Sequence, residues 1–221
     1  MLNLEQLGQN AVKAKIKLAT LTTEEKNKAL CHIAESLEKN SASIIEANKM
    51  DCKNGKEKGM SAAFLDRLSL NEDRIHSFAE GMRAVATLPD PVGRILEEIT
   101  RPNGLFLQKI AVPIGVIGII FEARPNVTAD AFALCFKSGN AVILRGGSDA
   151  INSNTAICNV MRDALSELSL PADAVQLVED TSHESAKELM RLKKYVDLII
   201  PRGGKRLIQS VVENATVPVI E

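Results

Sequence analysis

Two hydrophobic rhythms divide this chain. Up to about residue 90, apolar residues recur three and four positions apart; from Val116 onward they gather in short unbroken runs separated by amphipathic stretches of helix length. In the first part, Thr22-Thr23-Glu24-Glu25 reads as a capping box, with Thr22 capping and Glu25 reaching back. Leu30, Ile33, Ala34 and Leu37 form the stripe of that helix. Ser41 to Cys52 continues helically and is expected to stop near Asn54-Gly55. Asn71 opens a further helix whose Ile75, Phe78, Met82 and Val85 share one face, and Leu88-Pro89 closes it. Between the two parts, Arg94–Thr100 and Leu105–Ile110 flank Pro102-Asn103-Gly104, which is a hairpin signal. So apolar a hairpin needs cover, which another subunit of a homo-oligomer would supply.

The second part alternates strictly. Val116–Phe121, Ala141–Leu144, Ala174–Val178, Val196–Ile200 and Val217–Ile220 are expected strands. Val127–Lys137, Ile151–Leu168, Ser182–Leu192 and Lys205–Glu213 are the helices between them. Strands in unbroken apolar runs, each followed by a helix, predict a parallel sheet buried on both faces. The expected fold class is therefore α/β: a Rossmann-like parallel sheet with helices on both faces, preceded by an N-terminal helical layer (1–90) and a β-hairpin (94–111). The βαβ core would fill 113–221 of a single nucleotide-binding domain, 1–221.

Composition narrows the function. A chain of 221 residues, 45% hydrophobic and 25% charged, can build a sizeable core. Its net charge of −1 gives no long-range field for nucleic acid or an anionic membrane, so any anion site must be local. Aromatics make up 3%, too few for base-stacking platforms. Met1-Leu2-Asn3-Leu4-Glu5 does not read as a secretory leader, and the longest apolar run, Val112–Phe121, is too short to span a bilayer. Cys31, Cys52, Cys135 and Cys158 are widely spaced and fit a reducing, cytoplasmic setting without a metal site. Cys135 and Cys158 fall inside helices and read as packing; Cys52 lies in a Lys-rich stretch that would lower its pKa. His32 and His76 lie on amphipathic helices and His183 near a helix start, none in a catalytic pattern.

Chemistry is expected at the carboxyl ends of the strands, where helix N-termini present free N–H groups. In Phe121-Glu122-Ala123-Arg124-Pro125-Asn126, Pro125 forces Arg124 out of helical geometry. Asn126 then either caps the helix or donates to a developing oxyanion. In Arg145-Gly146-Gly147-Ser148-Asp149, the glycines admit either a ligand or a tight turn with Ser148 or Asp149 as cap. In Pro201-Arg202-Gly203-Gly204-Lys205-Arg206, cations crowd a helix N-terminus against its dipole. That mismatch favours a bound phosphate. Glu221, after Val217-Pro218-Val219-Ile220, carries little weight.

Taken together, Pro113 through Asn126, Lys137-Ser138-Gly139-Asn140 through Ser148, and Leu198-Ile199-Ile200-Pro201-Arg202-Gly203-Gly204 resemble the aldehyde dehydrogenase superfamily. They are most similar to the branch that reduces L-glutamate 5-phosphate with NADPH in proline biosynthesis, releasing phosphate. The resemblance covers essentially the whole chain. It implies NADP(H) as cofactor and L-glutamate 5-phosphate as substrate, with glutamate 5-kinase as a further partner. It gives Asn126 the oxyanion-donor role and sets Phe121, Glu122, Arg145, Gly146, Gly147, Ser148, Arg202, Gly203, Gly204 and Lys205 against the cofactor, with Arg124 toward the substrate. Ser148 falls where NAD-preferring relatives carry a glutamate, and a small residue leaves room for a 2′-phosphate that Arg145 would pair with. The family's cysteine nucleophile, which forms a thioester with the substrate, belongs to a later catalytic domain and matches none of the four cysteines here. The expectation is a cofactor-binding portion without turnover. Two rival expectations are another NADP-dependent acyl-reducing relative, and a non-catalytic nucleotide-binding module that assembles through its hairpin.

Overall fold

A computed structural model describes residues 3–221. Five helices lead: α1 (Leu4–Leu18), α2 (Thr23–Lys39), α3 (Ser41–Glu57), α4 (Ala62–Leu68) and α5 (Glu72–Thr87). The capping box before α2 is formed, with Thr22 and Glu25 bonded reciprocally. Asn71 caps α5 as expected.

One helix outruns its expected end. α3 passes through Asn54-Gly55 to Glu57. Gly55 is there for close packing: a Cβ on it would fall 2.9 Å from Met60 Sδ and 3.1 Å from Leu65 Cδ2. The residue that ends the helix is Gly59, whose φ of 74° lies in the left-handed region that suits glycine.

The hairpin strands β1 (Ile95–Thr100) and β2 (Phe106–Ile110) pair antiparallel, away from the main sheet. Ile95, Leu96, Leu105, Phe106, Leu107 and Ile110 on it are each at least 40% exposed.

The main sheet holds β3 (Val116–Phe121), β4 (Ala141–Arg145), β5 (Val175–Leu177) and β6 (Leu198–Arg202), all parallel, in the order β5-β4-β3-β6. The connecting helices are α6 (Asn126–Lys137), α7 (Ile151–Glu167), α8 (His183–Arg191) and α9 (Lys205–Asn214). α6 and α7 follow β3 and β4 along one face, where α2 and α5 pack on them. α1 leaves the leading helical layer and packs across β3, β4 and β5 beside α8. Both faces are therefore covered, and every residue of β3 is buried.

Two strand expectations need correction. β6 lies two residues later than the expected Val196–Ile200, because its register with β3 runs from Leu198 to Arg202; Pro201 sits where only the β3 side is paired and needs no further ladder donor. The expected strand Val217–Ile220 is reduced to one parallel bridge between Ile199 and Val219. Pro218, lacking an N–H, accepts from Ile199 N at 2.8 Å but cannot continue the ladder as a donor.

Candidate functional site

Strand order decides where a ligand can sit. The chain steps from β3 to β4 to β5, then returns across the sheet to place β6 on the other side of β3. The connections diverge between the carboxyl ends of β3 and β6, the crevice where open parallel sheets bind ligands. Phe121 pairs with Arg202 at that edge. Just beyond lies a cavity of about 410 Å³ lined by Phe64, Arg67, Glu122, Ala123, Arg124, Val127, Arg202, Gly203 and Gly204.

The α9 turn is shaped for close approach. Cβ atoms added at Gly203 would fall 2.7 Å from Leu207 Cδ2 and 2.9 Å from Glu122 Cδ. Gly204 is the N-cap residue of α9 and has no side chain with which to cap it. Its N–H donates instead to Glu122 Oε1 at 3.0 Å. An exposed carboxylate thus occupies the positive end of a helix whose first residues, Lys205 and Arg206, are cations.

The β4 turn differs. A Cβ on Gly146 would fall 2.3 Å from Asn154 Nδ2 and 3.1 Å from Phe121 Cζ, so this glycine serves interior packing. Gly147 has more room; its Cβ would sit 3.6 Å from Ala123 N. The Glu122-Ala123 backbone therefore runs between the two glycine turns. Arg145 turns to its own neighbourhood: its Nη2 donates to the carbonyls of Thr181 (2.7 Å) and Ser182 (2.8 Å). Burial lowers its pKa, opposed by Asp180. Ser148 is exposed in a short 3₁₀ turn, Ser148–Ala150, and lines neither of the clefts described here. Neither Ser148 nor Asp149 caps α7. Asp51 of α3 does so from a distance, accepting from Asn152 N and Ser153 N at 3.2 and 2.8 Å and from their side chains at 2.7 and 2.6 Å.

A second cavity, about 420 Å³, adjoins the first and shares Arg67 and Arg124 with it. Asn126, Asp130, Arg74 and Asp66 line it as well. Arg124 lies outside the helix, as Pro125 requires, and Asn126 is the first residue of α6. Pro125 is the N-cap residue, so the plain-cap reading of Asn126 does not hold. Its amide donates to Asp130 Oδ2 at 3.0 Å. Burial raises the Asp130 pKa, with Arg202 and the Asn126 amide opposing.

The cysteines sit elsewhere. Cys135 and Cys158 are buried, and burial pushes both thiols up to about 12. The expected lowering at Cys52 is reversed: burial and the neighbouring Asp51 raise its pKa, outweighing Lys56. Nothing in the residue pattern around Phe64, Arg67 or Asp51 singles them out. The partners of Asp51 lie about a hundred residues away, and Phe64 and Arg67 meet the residues from Glu122 to Val127 and from Arg202 to Gly204 only in the folded chain.

The aldehyde dehydrogenase family model matches residues 3–220. The γ-glutamyl phosphate reductase of Geobacillus sp. strain WCH70 is 56% identical over 221 residues, covering 100% of this chain and 52% of that protein. The same enzyme from Anoxybacillus flavithermus is 56% identical over 205 residues, covering 93% of this chain and 50% of that one. The crystal structure of γ-glutamyl phosphate reductase from Thermotoga maritima superposes with a TM-score of 0.97 at 44% identity, covering 99% of this chain and 53% of that one. This chain thus spans about half the length of the curated relatives it matches. With its parallel sheet, its glycine turns and a match along nearly its whole length, the chain belongs to the aldehyde dehydrogenase family.

Proposed function

We propose that these residues form the cofactor-binding part of a γ-glutamyl phosphate reductase, which reduces L-glutamate 5-phosphate to L-glutamate 5-semialdehyde and phosphate with NADPH. The observation that carries the reading is the glycine cradle at the start of α9. There the Leu207 and Glu122 side chains close against Gly203, a Cβ on Gly204 would meet only Glu122 Oε1 at 3.4 Å, and the one backbone donor of Gly204 is held only by that exposed carboxylate. A cradle of this kind fits a pyrophosphate.

The residues present fit a nicotinamide dinucleotide. Phe121, Arg202, Gly203, Gly204 and Lys205 would hold its pyrophosphate side, with the Glu122 carboxylate giving up the Gly204 N–H to it. Gly147 and the exposed Ser148 would hold its ribose side, with Gly146 packed beneath them. Arg145 acts there through the Thr181–Ser182 loop, which it fixes by two hydrogen bonds. When bound, NADPH supplies the hydride. Asn126 donates its amide to the substrate carbonyl oxygen as charge develops on it, and Asp130 holds that amide in orientation. Arg124 stands on the substrate side. This reading places the reacting thiol outside these residues: none of the four cysteines lines either cleft, and Cys135 and Cys158 are buried. These 221 residues bind cofactor without turnover. The protein is cytoplasmic, the hairpin is its homo-oligomer contact, and glutamate 5-kinase is its upstream partner.

The test is a pair of measurements on this chain. NADPH fluorescence should report saturable binding, while NADPH oxidation with L-glutamate 5-phosphate should stay at the buffer rate. Absence of binding would sink the cofactor reading; genuine turnover would sink the placement of the thiol outside these residues.

A further inference from the structure

The two clefts at the strand ends meet at two guanidinium groups, Arg67 of α4 and Arg124 of the β3–α6 turn. Charges around them are otherwise accounted for. Arg74 binds the Asp66 carboxylate at 2.8 Å and takes Ser69 O as well. Arg202 lies 4.0 Å from Asp130. Glu122 is held by Gly204 N. Among the described residues, Arg67 and Arg124 have no carboxylate within ion-pair distance. Arg67 lies instead over the ring of Phe64, its Cζ 5.8 Å from the ring centroid. Phe64 is 57% exposed and lines the first cavity beside Arg67.

The geometry points to Arg67 as a phosphate-binding residue of the substrate cleft, acting with Arg124 on the phosphoryl group of an acyl phosphate whose carbonyl faces Asn126. Two unpaired guanidinium forks on one cavity wall match a tetrahedral dianion better than a lone ammonium or backbone donor would. Asn126 lines the same cavity, so the carbonyl donor and the leaving-group cations share one wall. The Phe64 ring lies under the Arg67 guanidinium in a cation–π contact and limits the rotamer freedom lost on binding. On this view the leading helices contribute to substrate recognition as well as to packing. The inference rests on the reductase reading for the identity of the acyl phosphate, but the anion site itself can be measured separately.

The experiment titrates this chain and its Arg67→Ala and Arg67→Lys variants with inorganic phosphate, L-glutamate and NADPH by calorimetry. Expected for Arg67→Ala is a loss of phosphate affinity of about tenfold or more, the worth of one charge-assisted fork. Arg67→Lys should recover part of it, and NADPH affinity should fall less than phosphate affinity in both variants, because Arg67 lines the Asn126 cavity as well as the one that holds the glycine turn. No phosphate binding, or equal binding by all three proteins, would overturn the assignment. So would a shift confined to L-glutamate, which would give Arg67 to a carboxylate. Displacement of phosphate by NADPH would assign the anion to the cofactor and overturn it too. Arg67-dependent phosphate binding in a chain that fails to bind NADPH would support the site and count against the cofactor reading alone.

Discussion

The turns after β4 and β6 look alike in sequence: a cation, two glycines, then a helix. In the fold they are opposites. The helix after the β4 turn is already satisfied from within, because the Asp51 carboxylate, 2% exposed, accepts from the backbone and side chains of Asn152 and Ser153. The helix after the β6 turn is held by one exposed carboxylate through one bond. A buried anion belongs to the structure permanently, whereas an exposed one can give way to a ligand. The start of α7 is thus closed by the fold itself, and the start of α9 is where we propose that an anion binds.

The contrast breaks most sharply at Asp51. Asp51→Ala should cost roughly 2–4 kcal/mol, since it removes a cap and strands the buried donors of Ser153. A shift of the urea midpoint at constant m-value would register it. A loss below about 0.5 kcal/mol, the scale of ordinary surface substitutions, would mean that α7 starts well without Asp51.

Next comes the packing of the glycines. Gly146→Ala drives a methyl to 2.3 Å from Asn154 Nδ2 and should cost about 1–3 kcal/mol by overpacking. Gly204→Ala, whose new methyl would meet Glu122 Oε1 at 3.4 Å, should change stability by less than about 0.5 kcal/mol while weakening NADPH binding. Equal unfolding midpoints for the two variants would erase the distinction between the turns.

Much of this frame was legible before folding. The unbroken apolar runs fixed β3 and β4 to within a residue, and the cations facing the α9 dipole marked the turn at which the Glu122 carboxylate accepts from Gly204 N. What was not legible depends on distant partners. Asp51 sits mid-helix, where an isolated aspartate reads as solvated, and it reaches residues 101 and 102 positions away. Gly55 reads as a helix stop but serves contacts with Met60 and Leu65. Local pattern carries periodicity and turn chemistry; it does not carry which side chain a glycine makes room for.

Cofactor choice sharpens the comparison from the ribose side. Ser148 is exposed at the end of the β4 turn, and the neighbouring Asp149 carboxylate is paired with Lys58 at 3.2 Å. Ser148→Glu should weaken NADPH binding by roughly tenfold while leaving NADH binding nearly as it was. Competitive titration of the two nucleotides measures the ratio. An unchanged preference would remove Ser148 from the ribose corner.

The smallest effect tests the β6 turn itself. If Glu122 lends its carboxylate to α9 only until a ligand arrives, Glu122→Gln keeps an acceptor for Gly204 N and removes the competing charge. Stability should then change by less than about 0.5 kcal/mol, because the bond is exposed to solvent. NADPH affinity should rise by roughly two- to fivefold, the worth of one charge at a solvent-facing helix end, and the gain should shrink with added salt. A fall in affinity would mean that Glu122 holds the cofactor directly through its carboxylate. Either result separates Glu122 from Asp51, whose removal is read in the unfolding midpoint and not in the cofactor titration.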